Sequence, residues 1–230
     1  MKKSVLLKIS AVISGISGII ILAGVAIPIL FYKSSPIKGN PDIVSPIAEK
    51  ESVKGQEGEI DFTKASNWFV GGATREDFSA EKISYYTISI PRLKIENATI
   101  AIGGEDLSKS LVQYPGTALP GKRGNSVIFG HSILPIFFNP KDYISIFSTL
   151  PTLKAGDEIN VNYDGVSYKY RVENMFEVLP TDIQVLEQDS RDSFLTLITC
   201  VPPGDPRKPR RLVVRARIVS PENLNANIGN

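Results

Sequence analysis

Residues 9 to 32, ISAVISGISGIIILAGVAIPILFY, contain no charged side chain, and Lys2, Lys3 and Lys8 stand in front of them. A backbone held in hydrocarbon must bond its own amides, so an apolar run of this kind is restricted to a helix. At 1.5 Å per residue the run would reach about 36 Å, enough to cross a hydrocarbon layer of about 30 Å with some tilt. It therefore predicts a transmembrane helix over 9–32. A cleavable leader is the competing reading, because Gly24-Val25-Ala26 offers a small-residue cut. Apolar sequence continues past that cut from Ile27 to Tyr32, longer than a leader needs, and favours an uncleaved anchor. The lysines in front place residues 1–8 in the cytoplasm and the body of the chain outside the cell, as a single-pass protein of the cell membrane.

Two exclusions follow from composition. Lys and Arg number 26 against 24 Asp and Glu, and the basic residues gather only between Arg207 and Arg217, so no nucleic-acid partner is expected. There is one histidine, one cysteine and no CxxC pair, so no metal site and no redox cofactor are expected, with calcium dependence left undecided. A single cysteine in an exported chain forms no internal disulfide and is a packed hydrophobe, an intermolecular link or a reactive thiol.

Residues 33–80 open with SSPIKGNPDIVSPIAEKESVKGQEGE, the composition of an extracellular linker, and end in the more apolar Ala65 to Val70. Trp68-Phe69 there is expected to dock on the domain, with a mobile lid as the alternative reading. From about residue 81 to 220 the pattern is short β segments. In 157–163, Ile159, Val161 and Tyr163 alternate with Glu158, Asn160 and Asn162; Asp164-Gly165 turns the chain, and Val166, Tyr168, Tyr170 and Val172 resume the alternation. This is a hairpin with one wet face. Further strands are expected at 85–90, 99–102, 126–129, 194–199 and 212–219, with short helical turns near Asp106 and in the 180–194 connection, where Thr181 and Gln184 have capping-box spacing. Many short strands with brief helices predict an all-β antiparallel barrel or sandwich, followed by a tail at 221–230.

His131 follows the apolar strand of SVIFGHS and Cys200 closes that of TLITC, each at a strand end where loops expose side chains. They form a candidate base and nucleophile. Behind Cys200 runs VPPGDPRKPRRLVVRARI, whose four prolines stiffen the return toward Arg211. Strand parity favours Arg211 over its rival Arg210 as the residue beside Cys200. A guanidinium there would donate to an oxyanion and favour the thiolate.

TLITC, a downstream Arg leading into LVVRA, and the upstream YPGTALPGKRGNSVIFGHS together resemble the sortase family of cysteine transpeptidases over residues 83 to 219. The resemblance implies a closed eight-strand β-barrel and a catalytic set of His131, Cys200 and Arg211, with Leu197 and Thr199 lining the substrate groove. It implies cleavage of an LPxTG-like C-terminal sorting signal between Thr and Gly, a thioester on Cys200, and transfer of the surface protein to an amine of a cell-wall precursor or a pilin lysine. Two features depart from pilin-polymerising members: no second apolar span follows Val219, and no DP-aromatic motif precedes the domain. The short Cys-to-Arg connection is similar to that of pilin and sporulation-associated branches, so the class stays open. A hydrolytic cysteine peptidase and an L,D-transpeptidase are the enzymatic alternatives, the latter lacking its S-x-G-C-x-R context here. A membrane-tethered β-barrel binding module with an idle Cys200 is the alternative of another kind.

Overall fold

The computed structural model describes residues 3–33 and 60–219. Residues 34–59 and 220–230, which hold most of the expected linker and the expected tail, lie outside the described residues. One long helix, α1 (Lys3–Lys33), contains the uncharged run, and within it Lys8–Ile27 is long and apolar enough to cross a membrane.

Eight strands follow: β1 (Ser84–Ile90), β2 (Ile95–Ile102), β3 (Leu111–Gln113), β4 (Gly124–Phe129), β5 (Glu158–Tyr163), β6 (Val166–Val178), β7 (Ser193–Val201) and β8 (Arg210–Ile218). They close into a barrel in the order β1-β2-β3-β4-β7-β8-β6-β5, with β5 returning to β1. The expected hairpin is β5 and β6, paired from Tyr163↔Val166 to Glu158↔Arg171. Its turn works because Asp164 and Gly165 both take positive φ, 51° and 73°, the combination a two-residue turn needs to match strand twist. Two neighbouring pairs are parallel, β2 with β3 and β4 with β7. The 180–194 connection carries one 3₁₀ turn, Ile183–Leu186, without a side-chain cap.

The barrel is packed on both surfaces of its β4-β7-β8 wall. Inside, Leu195, Leu197, Val201, Leu212, Val214 and Ile128 meet the inward side chains of β1, β2 and β5. Outside, Val127, Phe129, Ile198, Cys200 and Val213 lie under Ala65, Trp68, Phe69 and Phe78. Every residue of β4 and β7 is therefore buried. Full burial of such a side chain is worth about 1.5–3 kcal/mol, which is why a stretch of linker composition docks here. Residues 61–78 form a strap across the outer wall, tied by Leu107 N–H to the Thr63 carbonyl (2.8 Å), Ala65 N–H to Glu105 (2.9 Å) and Val70 N–H to Pro180 (2.9 Å).

Candidate active site

Three adjacent strands bring the expected residues together. β4 and β7 run parallel with Phe129 opposite Ile198, so the register carried two residues further faces His131 with Cys200. β8 runs antiparallel on the other side of β7, with Arg211 opposite Cys200. Because side chains alternate along a strand, Phe129, Ile198, Cys200, Arg211 and Val213 share the outer surface. His131, Cys200 and Arg211 thus line up across one end of the wall. Arg210 points away, 43% exposed and 3.9 Å from Glu177.

The local sequence explains why the strand ends meet. Gly130 donates to the Ile198 carbonyl (3.1 Å), Thr199 Oγ1 donates to the Gly130 carbonyl (2.8 Å), and Ser132 Oγ donates to the Cys200 carbonyl (2.7 Å). A side chain at 130 would run into the Phe147 ring and come within 2.6 Å of Leu111, so the residue before His131 must be glycine. Leu197 and Thr199 are wholly buried on the face of β7 opposite Cys200, Leu197 among the interior apolar side chains and Thr199 on the Gly130 carbonyl.

The imidazole of His131 is oriented at both nitrogens. Nδ1 stands 2.9 Å from the Ile144 carbonyl and Nε2 3.3 Å from the Lys208 ammonium, which also donates to the Ser132 carbonyl at 3.3 Å. An ammonium can only donate, so Nε2 accepts and the proton of the neutral ring sits on Nδ1. Burial, and next the Lys208 charge, push the His131 pKa down from 6.5 to about 4. Burial pushes the Cys200 thiol up, against the opposing pull of Arg211 and Lys208. Both shifts favour the uncharged pair, thiol and neutral imidazole, over the ion pair.

Arg211 is 1% exposed. Its Nε donates to the Trp68 carbonyl (3.0 Å), and Nη1 donates to the carbonyls of Lys208 (2.8 Å) and Arg210 (3.2 Å). The guanidinium also lies over the rings of Phe62 (5.6 Å) and Trp68 (5.7 Å). The strap thus does more than cover Cys200, since one of its own carbonyls occupies a donor aimed at the thiol's side of the wall. Beside His131 a groove of about 870 Å³ opens between the strap, the His131 loop and the β7–β8 loop, lined among others by Ile60, Phe62, Leu134, Phe137, Pro206 and Lys208. Sequence reasoning missed Lys208 and the strap's carbonyl. The only signals for them were a lysine inside the proline-rich loop and an aromatic pair in a linker.

Among the described residues no group of three or more His, Cys, Asp or Glu stands together to hold a metal. The description "Sortase domain" matches residues 88–219, more than half of the chain. The chain belongs to the sortase family. It is 31% identical over 135 residues to sortase A of Bacillus anthracis, an alignment covering 57% of this chain and 58% of that relative. Among solved structures it is similar to a lid mutant of sortase A from Corynebacterium diphtheriae, with a TM-score of 0.52 and 32% identity over 63% of this chain and 76% of that one. It is similar also to sortase C-1 from Actinomyces oris, with a TM-score of 0.51 and 30% identity over 59% and 73%. The first two curated relatives are matched over little more than half of their length.

Proposed function

We propose that this chain is a membrane-anchored cysteine transpeptidase that cuts an LPxTG-like sorting signal and passes the surface protein to an amine of a cell-wall precursor or a pilin lysine. The observation that carries the reading is the alignment of His131, Cys200 and Arg211 across the ends of β4, β7 and β8, on the outer face of a sortase barrel. α1 supports the anchor, with residues 1–8 inside and the barrel outside the cell.

In the first step His131 Nε2, released by the Lys208 ammonium, takes the Cys200 proton and the sulfur attacks the Thr carbonyl carbon. The tetrahedral oxyanion accepts hydrogen bonds from Arg211, where one such donor is worth about 3 to 4 kcal/mol. The C–N bond breaks as the imidazolium gives its proton to the departing amine, leaving a thioester on Cys200. In the second step neutral His131 takes a proton from the incoming amine, the new amide forms, and the sulfur leaves as thiolate to regain its proton. Each turnover exchanges one amine for another, so electrons and protons balance without a cofactor. Thr199 and Leu197, expected to line the groove, are instead buried behind it, Thr199 holding the Gly130 carbonyl next to His131 and Leu197 filling the barrel interior.

The test is full-length protein in detergent with an LPxTG-type peptide and a primary amine, followed by mass spectrometry. The expected products are the amine adduct and an acyl-enzyme lost in Cys200→Ala. Wild-type product from Cys200→Ala would end the reading.

A further inference from the structure

Lys208 lies between the two partners of Cys200 and is bonded to both. Its backbone carbonyl accepts from Arg211 Nη1 at 2.8 Å, and its ammonium donates to His131 Nε2 and to the Ser132 carbonyl, each at 3.3 Å. We propose that Lys208 is a positioning residue for the transfer, whose backbone fixes the Arg211 fork and whose ammonium seats the His131 ring by capping the Nε2 lone pair until that nitrogen takes up the thiol proton.

The loop around Lys208 is built to present it this way. Asp205 is 3% exposed and closes the turn with Arg207, pairing with its guanidinium at 2.7 Å and accepting its backbone N–H at 3.0 Å. Lys208 N–H donates to the Asp205 carbonyl at 3.1 Å, and Lys208 itself takes φ of 45°, a left-handed conformation that a non-glycine residue adopts only where its surroundings hold it. Pro206 and Pro209 stiffen both flanks. A free lysine would extend to water. This one is turned inward, its ammonium 5.5 Å from the Phe62 ring centroid as well as against the imidazole.

The contact has a chemical consequence. The charged groups facing His131 are Lys208 from the β7–β8 loop, Asp142 from the segment that follows the His131 loop and Asp61 from the strap, with the Ile144 carbonyl on Nδ1. Lys208 is the one that bonds Nε2, the nitrogen that exchanges the proton in the proposed transfer. Its charge disfavours the imidazolium and, across the cleft, favours the Cys200 thiolate. Removing it should carry both limbs of the activity profile to higher pH.

This inference rests on the transfer reading, and two measurements separate them. His131 is the sole histidine, so its ring signals in histidine-labelled full-length protein in detergent are unambiguous. Lys208→Met, or Lys208→Gln should the first variant fold poorly, is expected to raise the His131 titration by about one pH unit, with the Ile144 carbonyl still holding the proton on Nδ1, while Lys208→Arg keeps the titration low. The acid limb of kcat/KM should rise by the same amount. An unchanged titration in both uncharged variants would overturn the proposal. A shifted titration with an unmoved activity profile would instead remove His131 from the transfer, and the part of Lys208 with it.

Discussion

Arg211 is nearly as buried as the core leucines, a placement that costs a lone guanidinium several kcal/mol. It is sustained by three carbonyl acceptors and two aromatic faces, and the acceptors differ in kind. Those of Lys208 and Arg210 belong to the β7–β8 loop and β8 and stay with Arg211, whereas that of Trp68 arrives on the strap. Were the strap to leave, Nε would lose its acceptor while Nη1 kept its own, so the fork would stay aimed and gain a donor for a substrate carbonyl oxygen. Lysine at 211 would keep the charge but offer a single nitrogen in place of a rigid fork. Arg211→Lys is therefore expected to lower kcat by about 10²–10³-fold, the worth of one oxyanion donor, with little change in KM. Single-turnover acylation of Cys200 measures it, and a loss confined to KM would show that Arg211 only binds substrate.

At the scale of elements, the strap covers the site. Cys200 is 1% exposed beneath it, and Trp68 is fully buried with its ring stacked 5.0 Å from that of Phe129. Replacing a buried Trp by Ala typically costs about 3–5 kcal/mol, and here most of that cost falls on docking the strap rather than closing the barrel. Trp68→Ala should raise the rate of Cys200 alkylation by iodoacetamide at least about a hundredfold, with the far-ultraviolet circular dichroism of the barrel unchanged. An unaltered alkylation rate would mean that Cys200 is reached by another path. The strap is also where the sequence was hardest to read. Alternation exposed β5, β6 and β8, because each has one wet or partly wet face. β4 and β7 showed as apolar runs because they are buried on both faces, and the cover that buries the second face has the composition of a tether. Only Trp68-Phe69 marked it. β3 is three residues long, too short to show a period, and the continuation of β6 past Val172 is hidden by a bulge between Val172 and Asn174 that breaks the alternation. His131, Cys200 and Arg211 were legible because each lies near or just past the end of a strand that the pattern did reveal. Lys208 was not, since its importance lies in a left-handed loop residue that no period marks.

For the whole molecule, the buried imidazole links the chemistry of the site to the stability of the barrel. An unfolded chain takes up a proton on His131 below about pH 6.5, whereas the folded chain does so only below about pH 4. Between those values the unfolded state carries more protons, so stability is at its full value above pH 6.5 and falls as the pH drops toward 4. The depression amounts to about 3 kcal/mol across that window. Asp106, held down to about 2 mainly by the Ser108 hydroxyl, contributes in the same direction but only below its ordinary 3.8, so the two windows do not overlap. The urea midpoint of the full-length protein in detergent, followed by circular dichroism, is therefore expected to fall between pH 7 and pH 4.5. His131→Asn, neutral at every pH, should lose most of that slope. Equal slopes in the two proteins would place the acid sensitivity elsewhere and would mean that His131 is charged as readily in the folded state as in water.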